Sequence, residues 1–176
     1  MKRPGVVLAL LLAACGGAPG ETGRTGSRLP PGFEVRLDQV VYHRLDEQGL
    51  QIEASTDHVL LSPSSGQARF RRLTLAHRAG SASGGLVSLV AGGGSSNLLT
   101  GKLLLTDGVR VEDRLGRVLD VPSAAFDPDA RALAGPGPAT LTGPNYHLRA
   151  DKGAVVDLET ASVDLLGPVS GYIEPL

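Results

Sequence analysis

The chain has 176 residues, with 17 Lys or Arg against 18 Asp or Glu. Its formal charge is only −1, and no basic stripe with interleaved aromatics marks a nucleic-acid surface. A single cysteine excludes a disulfide framework and a cysteine-based zinc site, while 41% hydrophobic residues, 3% aromatics, no Trp, 24 Gly and 12 Pro fit one domain of many short strands and tight turns.

In chain order, Lys2-Arg3, an apolar run from Val6 to Ala14, and Cys15 have the layout of an export signal. The run is too short for a membrane span, which takes about 20 apolar residues. Leu12-Ala13-Ala14-Cys15 resembles the bacterial lipobox, which implies a signal peptide over residues 1–14, cleavage before Cys15 and lipid on its sulfur. Two or more acyl chains hold a protein firmly to a bilayer, so a lipidated Cys15 replaces a transmembrane anchor. After Cys15, residues 16–31 are Gly, Pro, Ser, Thr and charge with almost no apolar residue, so that residues 15–31 make a flexible tether of roughly 20 Å mean reach. The functional domain is expected over residues 32–176.

From Phe33 onward apolar residues alternate with polar ones, as in Val40/Tyr42, Ile52/Ala54, Val59/Leu61, Leu73/Leu75, Leu103/Leu105, Val109/Val111, Leu119/Val121 and Val163/Leu165. A period of two means half-buried strands. Between them stand turn sequences: Asp46-Glu47-Gln48-Gly49, Ser62-Pro63-Ser64-Ser65-Gly66, Asp107-Gly108, Arg114-Leu115-Gly116, Asp127-Pro128-Asp129, Gly135-Pro136-Gly137-Pro138 and Gly143-Pro144-Asn145. Turns at roughly 8- to 12-residue spacing predict an all-β sandwich, roll or barrel. The one stretch without a clear pattern is Leu86 to Leu105, where Gly92-Gly93-Gly94-Ser95-Ser96 reads as a loop between short strands and a helix ending at Ala91 competes.

The second half repeats itself. Leu119-Asp120-Val121 runs through Ala124, Phe126 and Leu133 to a Gly-Pro turn, and Leu148-Arg149-Ala150 runs through Ala154, Val155 and Val163 to Gly167-Pro168. Gly101, Gly135 and Gly167 start units about 30 residues apart, the length of a supersecondary unit that buries a face by stacking on its neighbours.

No catalytic constellation emerges. Gly80-Ser81-Ala82-Ser83-Gly84 is not a nucleophile elbow, and His43, His58, His77 and His147 lack the i, i+4 spacing of a zinc helix. Asp57-His58 are adjacent residues that face opposite sides of a strand. The glycine-rich Gly92 to Ser96 has no phosphate-loop lysine. Asp107, Asp113, Asp120, Asp127 and Asp129 are not at EF-hand spacing. No enzyme activity, cofactor or metal is expected.

The line Val109-Arg110-Val111-Glu112-Asp113-Arg114-Leu115-Gly116-Arg117-Val118-Leu119 and the Leu119 and Leu148 units resemble the OstA-like repeat of the LptC/LptA family of periplasmic lipopolysaccharide export proteins. The likeness spans approximately Phe33 to Glu174 and is clearest from Gly101 to Tyr172. It implies an open β-jellyroll of two antiparallel sheets enclosing a groove for the acyl chains of lipid A. The inward candidates are Val40, Tyr42, Ile52, Leu61, Leu73, Leu75, Leu103, Leu105, Val109, Val111, Leu119, Val121, Phe126, Leu141, Leu148, Val155 and Leu165. The resemblance further implies lipopolysaccharide accepted from an inner-membrane ABC transporter and passed along a bridge of LptA-like jellyrolls joined at strand edges. The chain departs from the family pattern in carrying a lipobox instead of an N-terminal helix. Gly16 also stands where enteric lipoproteins kept in the inner membrane have aspartate. The expected location is therefore periplasmic and membrane-anchored, with the inner membrane favoured and the outer left open. The alternative is a non-catalytic β-repeat lipoprotein that scaffolds an envelope complex and has a uniformly filled interior.

Overall fold

A computed structural model of the chain describes residues 32–45, 51–78, 86–158, 160 and 162–174. The expected signal peptide, Cys15 and the tether lie outside the described residues, as do the Asp46 to Gly49 turn and Gly80 to Gly84. The described residues form thirteen strands and no helix. Five are long: β1 (Val35–Leu45), β2 (Gln51–Ser62), β3 (Gln67–Arg78), β4 (Leu86–Asn97) and β5 (Leu103–Glu112). Eight short ones follow: β6 (Val118–Val121), β7 (Ala124–Asp127), β8 (Ala132–Pro136), β9 (Ala139–Gly143), β10 (Tyr146–Ala150), β11 (Gly153–Asp157), β12 (Ser162–Leu166) and β13 (Val169–Ile173). All pairings are antiparallel.

Strand β5 divides the hydrogen-bonded network. Its second half pairs with β6, which leads through β9 and β10 to β13, and its first half pairs with β7, which leads through β8 and β11 to β12. The long strands before it serve both branches by bending in the middle. In four of them the inward residues change parity across a step of three positions, Leu37 to Val40, Val59 to Thr56, Phe70 to Leu73 and Gly94 to Ala91, while in β5 the three residues Thr106, Asp107 and Gly108 separate inward Leu105 from inward Val109. The short strands turn the same corner at Pro122-Ser123, Gly137-Pro138, Asp151-Lys152 and Gly167-Pro168, between their members. The result is two sheets folded toward each other along one line, with strands that switch sheet by a bend or bulge.

Positive backbone φ concentrates on that line. Gln39 (53°), Arg72 (52°), Asp107 (63°), Gly108 (82°), Gly137 (87°), Gly153 (123°) and Gly167 (85°) all lie there. At Gln39, Arg72 and Asp107 this conformation costs about 1–2 kcal/mol each for a residue with a Cβ. Between β4 and β5 the register slips, so that Gly92 faces Asp107 and Gly108. A Cβ on Gly92 would lie 2.6 Å from the Asp107 carbonyl oxygen, which explains why glycine occupies the tightest point.

Three expectations are corrected here. Asp107-Gly108 is not a chain reversal but the bend inside β5, because Gly108 N–H donates to the Pro122 carbonyl at 3.0 Å and the strand continues. Gly92 to Ser96 is neither loop nor helix end but the second half of β4, paired on both sides. Low side-chain volume is needed there because Phe70 lies over Gly94, whose added Cβ would be 2.6 Å from the ring. The repeat is a circuit: β6, β7 and β8 are followed at the same places in the two sheets by β10, β11 and β12, so Gly137-Pro138 corresponds to Gly167-Pro168. Gly135 lies inside β8, pressed against Val121, and is not the start of a unit.

The sheets meet over a core containing Leu73, Leu89, Val109, Val111, Leu119, Val121 and Leu141 from one and Phe70, Leu105, Ala124, Leu133, Ala154 and Val156 from the other. Leu105 and Val109, either side of the β5 bend, are 0% and 1% exposed. Leu105→Ala is expected to lower unfolding free energy by about 2–5 kcal/mol. Gly94→Ala is expected to lower it by about 1–3 kcal/mol through overpacking, both read from urea midpoints at unchanged m.

Candidate functional site: the apolar cleft between the sheets

The first sheet contributes two inward rows. Nearest the corner run Val40, Thr56, Leu73, Ala91, Val109 and Val121, each the register partner of the next. Further out run Tyr42, Ala54, Leu75, Leu89, Val111, Leu119, Leu141 and Leu148. From the second sheet, Leu37, Val59, Phe70, Gly94, Leu105 and Ala124 form the inner row. Leu61, Ala68, Ser96, Leu103, Phe126, Leu133, Val156 and Val163 form the outer one. Leu165 continues the inner row through Ala154. Strand alternation alone accounts for this sorting.

Fifteen of the expected lining residues therefore lie on inner faces. Val155 does not: it pairs with Ala134 and Asp164 and points opposite to buried Ala154 and Val156, so β11 offers those two instead. The Ala154-Val155-Val156 run is apolar at every position, which hides the alternation. Ile52 pairs with Arg44 and His77, and its side chain lies outside the described residues. Reading the sequence missed Phe70, Leu89, Ala91, Leu133, Val156 and Val163. Leu133 and Val163 occupy equivalent places in the two repeat units, a signal that was available, whereas Leu89 and Ala91 sat in the patternless stretch.

Burial is not uniform along the interior. The middle is filled, with Leu105, Val109, Ala124, Ala139, Ala150 and Ala154 all at the centre of the core. Toward both ends it opens. Tyr42 on β1 is 38% exposed, and on β13 Val169 and Ile173, partners of Ala150 and Tyr146, are 47% and 70% exposed. Along the open side Val111, Leu119 and Leu141 face Val156, Leu158 and Val163 across a narrow cleft of about 40 Å³. Strands β1, β12 and β13 have no outer partner among the described residues, so the roll is not closed into a barrel.

The rim of the cleft is polar. Asp113 caps the β5–β6 turn, accepting the Leu115 and Arg117 N–H groups at 2.8 and 3.0 Å and the Arg117 Nε at 2.5 Å. This explains the Arg114-Leu115-Gly116 turn seen in the sequence. Asp157 lies across the mouth. No group of three His, Cys, Asp or Glu that could hold a metal occurs among the described residues. Among the described residues, the two carboxylates held below their ordinary range are both outside the cleft. The His58 imidazole, 2.5 Å away, and then Arg36 lower Asp38. Asp127 is lowered by Lys102 at 3.1 Å and by the N–H groups of Asp129 and Ala130.

These features define a class: an open antiparallel β-jellyroll whose apolar interior is accessible from its ends and one side. No protein-family model matches the chain, and no curated protein is similar to it in sequence. Among solved structures it is similar to LptH of Pseudomonas aeruginosa, the LptA-homologous periplasmic component of the lipopolysaccharide transport device. The TM-score is 0.52 at 12% identity, over 70% of this chain and 95% of that one. The likeness is one of fold, and it extends over nearly the whole of LptH.

Because Arg117 and Asp113 are partly buried together, Arg117→Gln is expected to cost roughly 1–2 kcal/mol of stability in urea unfolding. Asp127 has a folded pKa below its unfolded one, so its contribution is present above the unfolded carboxylate value and lost as pH falls through the folded value. Asp127→Asn is accordingly expected to flatten the acid limb of a stability-versus-pH profile below about pH 4.

Proposed function

We propose that this protein binds lipopolysaccharide by its acyl chains between the two sheets and transfers it through the periplasm. On this reading it receives lipid from an inner-membrane ABC transporter and passes it to an LptA-like jellyroll joined at a strand edge. It is held to the membrane by lipid on Cys15. The observation that carries the reading is an apolar interior open at both ends in a fold shared with LptH. Burying a ~12-carbon chain is worth on the order of 10 kcal/mol gross at ~0.8 kcal/mol per methylene, before ordering costs. A lining of Leu, Val and Ala without Trp suits mobile chains. The unpaired backbone edges of β1 on one side and β12 and β13 on the other suit augmentation by a like domain. Transfer of this kind needs no catalytic residue.

The filled centre favours one rival, a scaffolding lipoprotein whose interior is only a core. Photo-crosslinking separates the two. Probes at half-buried inner positions Leu75, Leu148 and Val163 are expected to capture lipopolysaccharide, and probes at outward Arg110 and Arg149 are not. Absence of adducts at every position in a folded protein establishes the scaffold.

A further inference from the structure

The outward face of the second sheet differs from that of the first. On the first, Val90, Arg110, Asp120, Thr140 and Arg149 are successive cross-strand neighbours, and Arg110 and Asp120 approach to 3.5 Å, an ordinary solvated surface. On the second, Leu104, Ala125, Ala134 and Val155 are neighbours on four successive strands, and the row ends at exposed Asp164 on β12. Leu104 is 50% exposed, and both alanines are exposed. Single exposed apolar residues are normal, but a contiguous row marks a surface that meets something.

The same row continues through Ser95 to Arg69, and through Leu60 to Arg36, with Arg71 beside Arg69 on the same face of β3. Two nearby carboxylates are paired, Asp38 with His58 and Arg36 and Asp57 with Arg72, while exposed Glu34 accepts from the Ser62 hydroxyl and keeps its charge. Arg69 and Arg71, both exposed, have no carboxylate partner among the described residues. This cationic end of the face is also where residues 1–31 join the domain, next to exposed Phe33 and the start of β1.

We propose that the outer face of the second sheet rests on an anionic phospholipid surface. Arg69 and Arg71 meet headgroup phosphates, and the Leu104 row lies at the interface. Two arginines without a carboxylate partner beside an apolar row, at the end of the face away from Asp164, supply the chemistry of peripheral membrane attachment. The described chain begins at the β1 edge of this sheet, so an anchor at Cys15 would keep this face within reach of the bilayer. Only that last argument rests on the anchored reading above. In this orientation the openings of the cleft at β1 and at β12 and β13 run along the membrane surface, not into it.

The test uses the chain from residue 15 with Cys15→Ser, so that neither signal nor acyl chain contributes. It is sedimented with vesicles of phosphatidylglycerol and phosphatidylethanolamine, or of phosphatidylcholine alone. Binding is expected to the anionic vesicles only and to weaken as salt is raised. At about five-fold per arginine near such a surface, the double variant Arg69→Gln, Arg71→Gln is expected to lose roughly 25-fold. Leu104→Ser is expected to weaken binding further, and Arg149→Gln on the other outer face to leave it unchanged. Equal binding to both vesicle types, no binding, or a double variant that binds like the parent with an unchanged urea midpoint overturns the proposal. Crosslinking of lipopolysaccharide at Leu148 and Val163 does not involve these arginines, so it reports on the transport reading separately. Vesicle binding without crosslinks would remove the transport function and keep the membrane face, and crosslinks without vesicle binding would do the reverse.

Discussion

The bend line that crosses every long strand is the constraint on which the rest of this structure depends. A strand has two faces, and a straight antiparallel sheet of these sequences would have left half of each apolar set in water. Inserting two or three residues between the apolar pairs, and giving several of them positive φ, lets both halves of one strand point inward on different sheets. The conformational penalty at Gln39, Arg72 and Asp107 is offset by burial of the pairs on either side, among them Phe70 with Leu73 and Leu105 with Val109. In the second half of the chain proline performs the same task differently. Lacking an N–H to continue a ladder, Pro122, Pro138 and Pro168 divide what would be long strands into short ones at the corner.

That geometry also decides where the interior is full. Near the corner the sheets are close, and only Ala, Gly and Val fit opposite the larger side chains: Gly135 against Val121, Gly94 beneath Phe70. Further out the rows still bury Leu89, Leu119, Leu133 and Val156 in mid-roll, and exposure appears only at the end strands, at Tyr42, Val169 and Ile173. Openness at β1 and β13 thus follows from the fold as much as from residue choice. The polar Asp113–Arg117 turn limits how far the apolar surface extends toward solvent.

The two faces of the second sheet carry different chemistry, one apolar toward the cleft and the other apolar with a cationic border. For a protein proposed to handle an amphiphile near a membrane, that division separates cargo contact from surface contact. It requires no moving part, and the stacking of β-circuits extends both faces in parallel.

Alternation of apolar and polar residues was enough to establish an all-β chain, most of its inward residues and the second-half repeat, because period two is a local property of the pleat. The Asp-Pro-Asp and Gly-Pro-Asn turns were legible for the same reason. What the sequence could not decide was whether Asp107-Gly108 reverses the chain or bends it, since αL geometry serves both and only pairing with Pro122 separates them. Nor could it sort Val155 from Ala154 and Val156, where three apolar residues in a row leave no alternation to read. The glycine-rich half of β4 carried no strand signal, because its residues are chosen for close approach of Phe70 and the β5 backbone, contacts that exist only once the sheets are folded together.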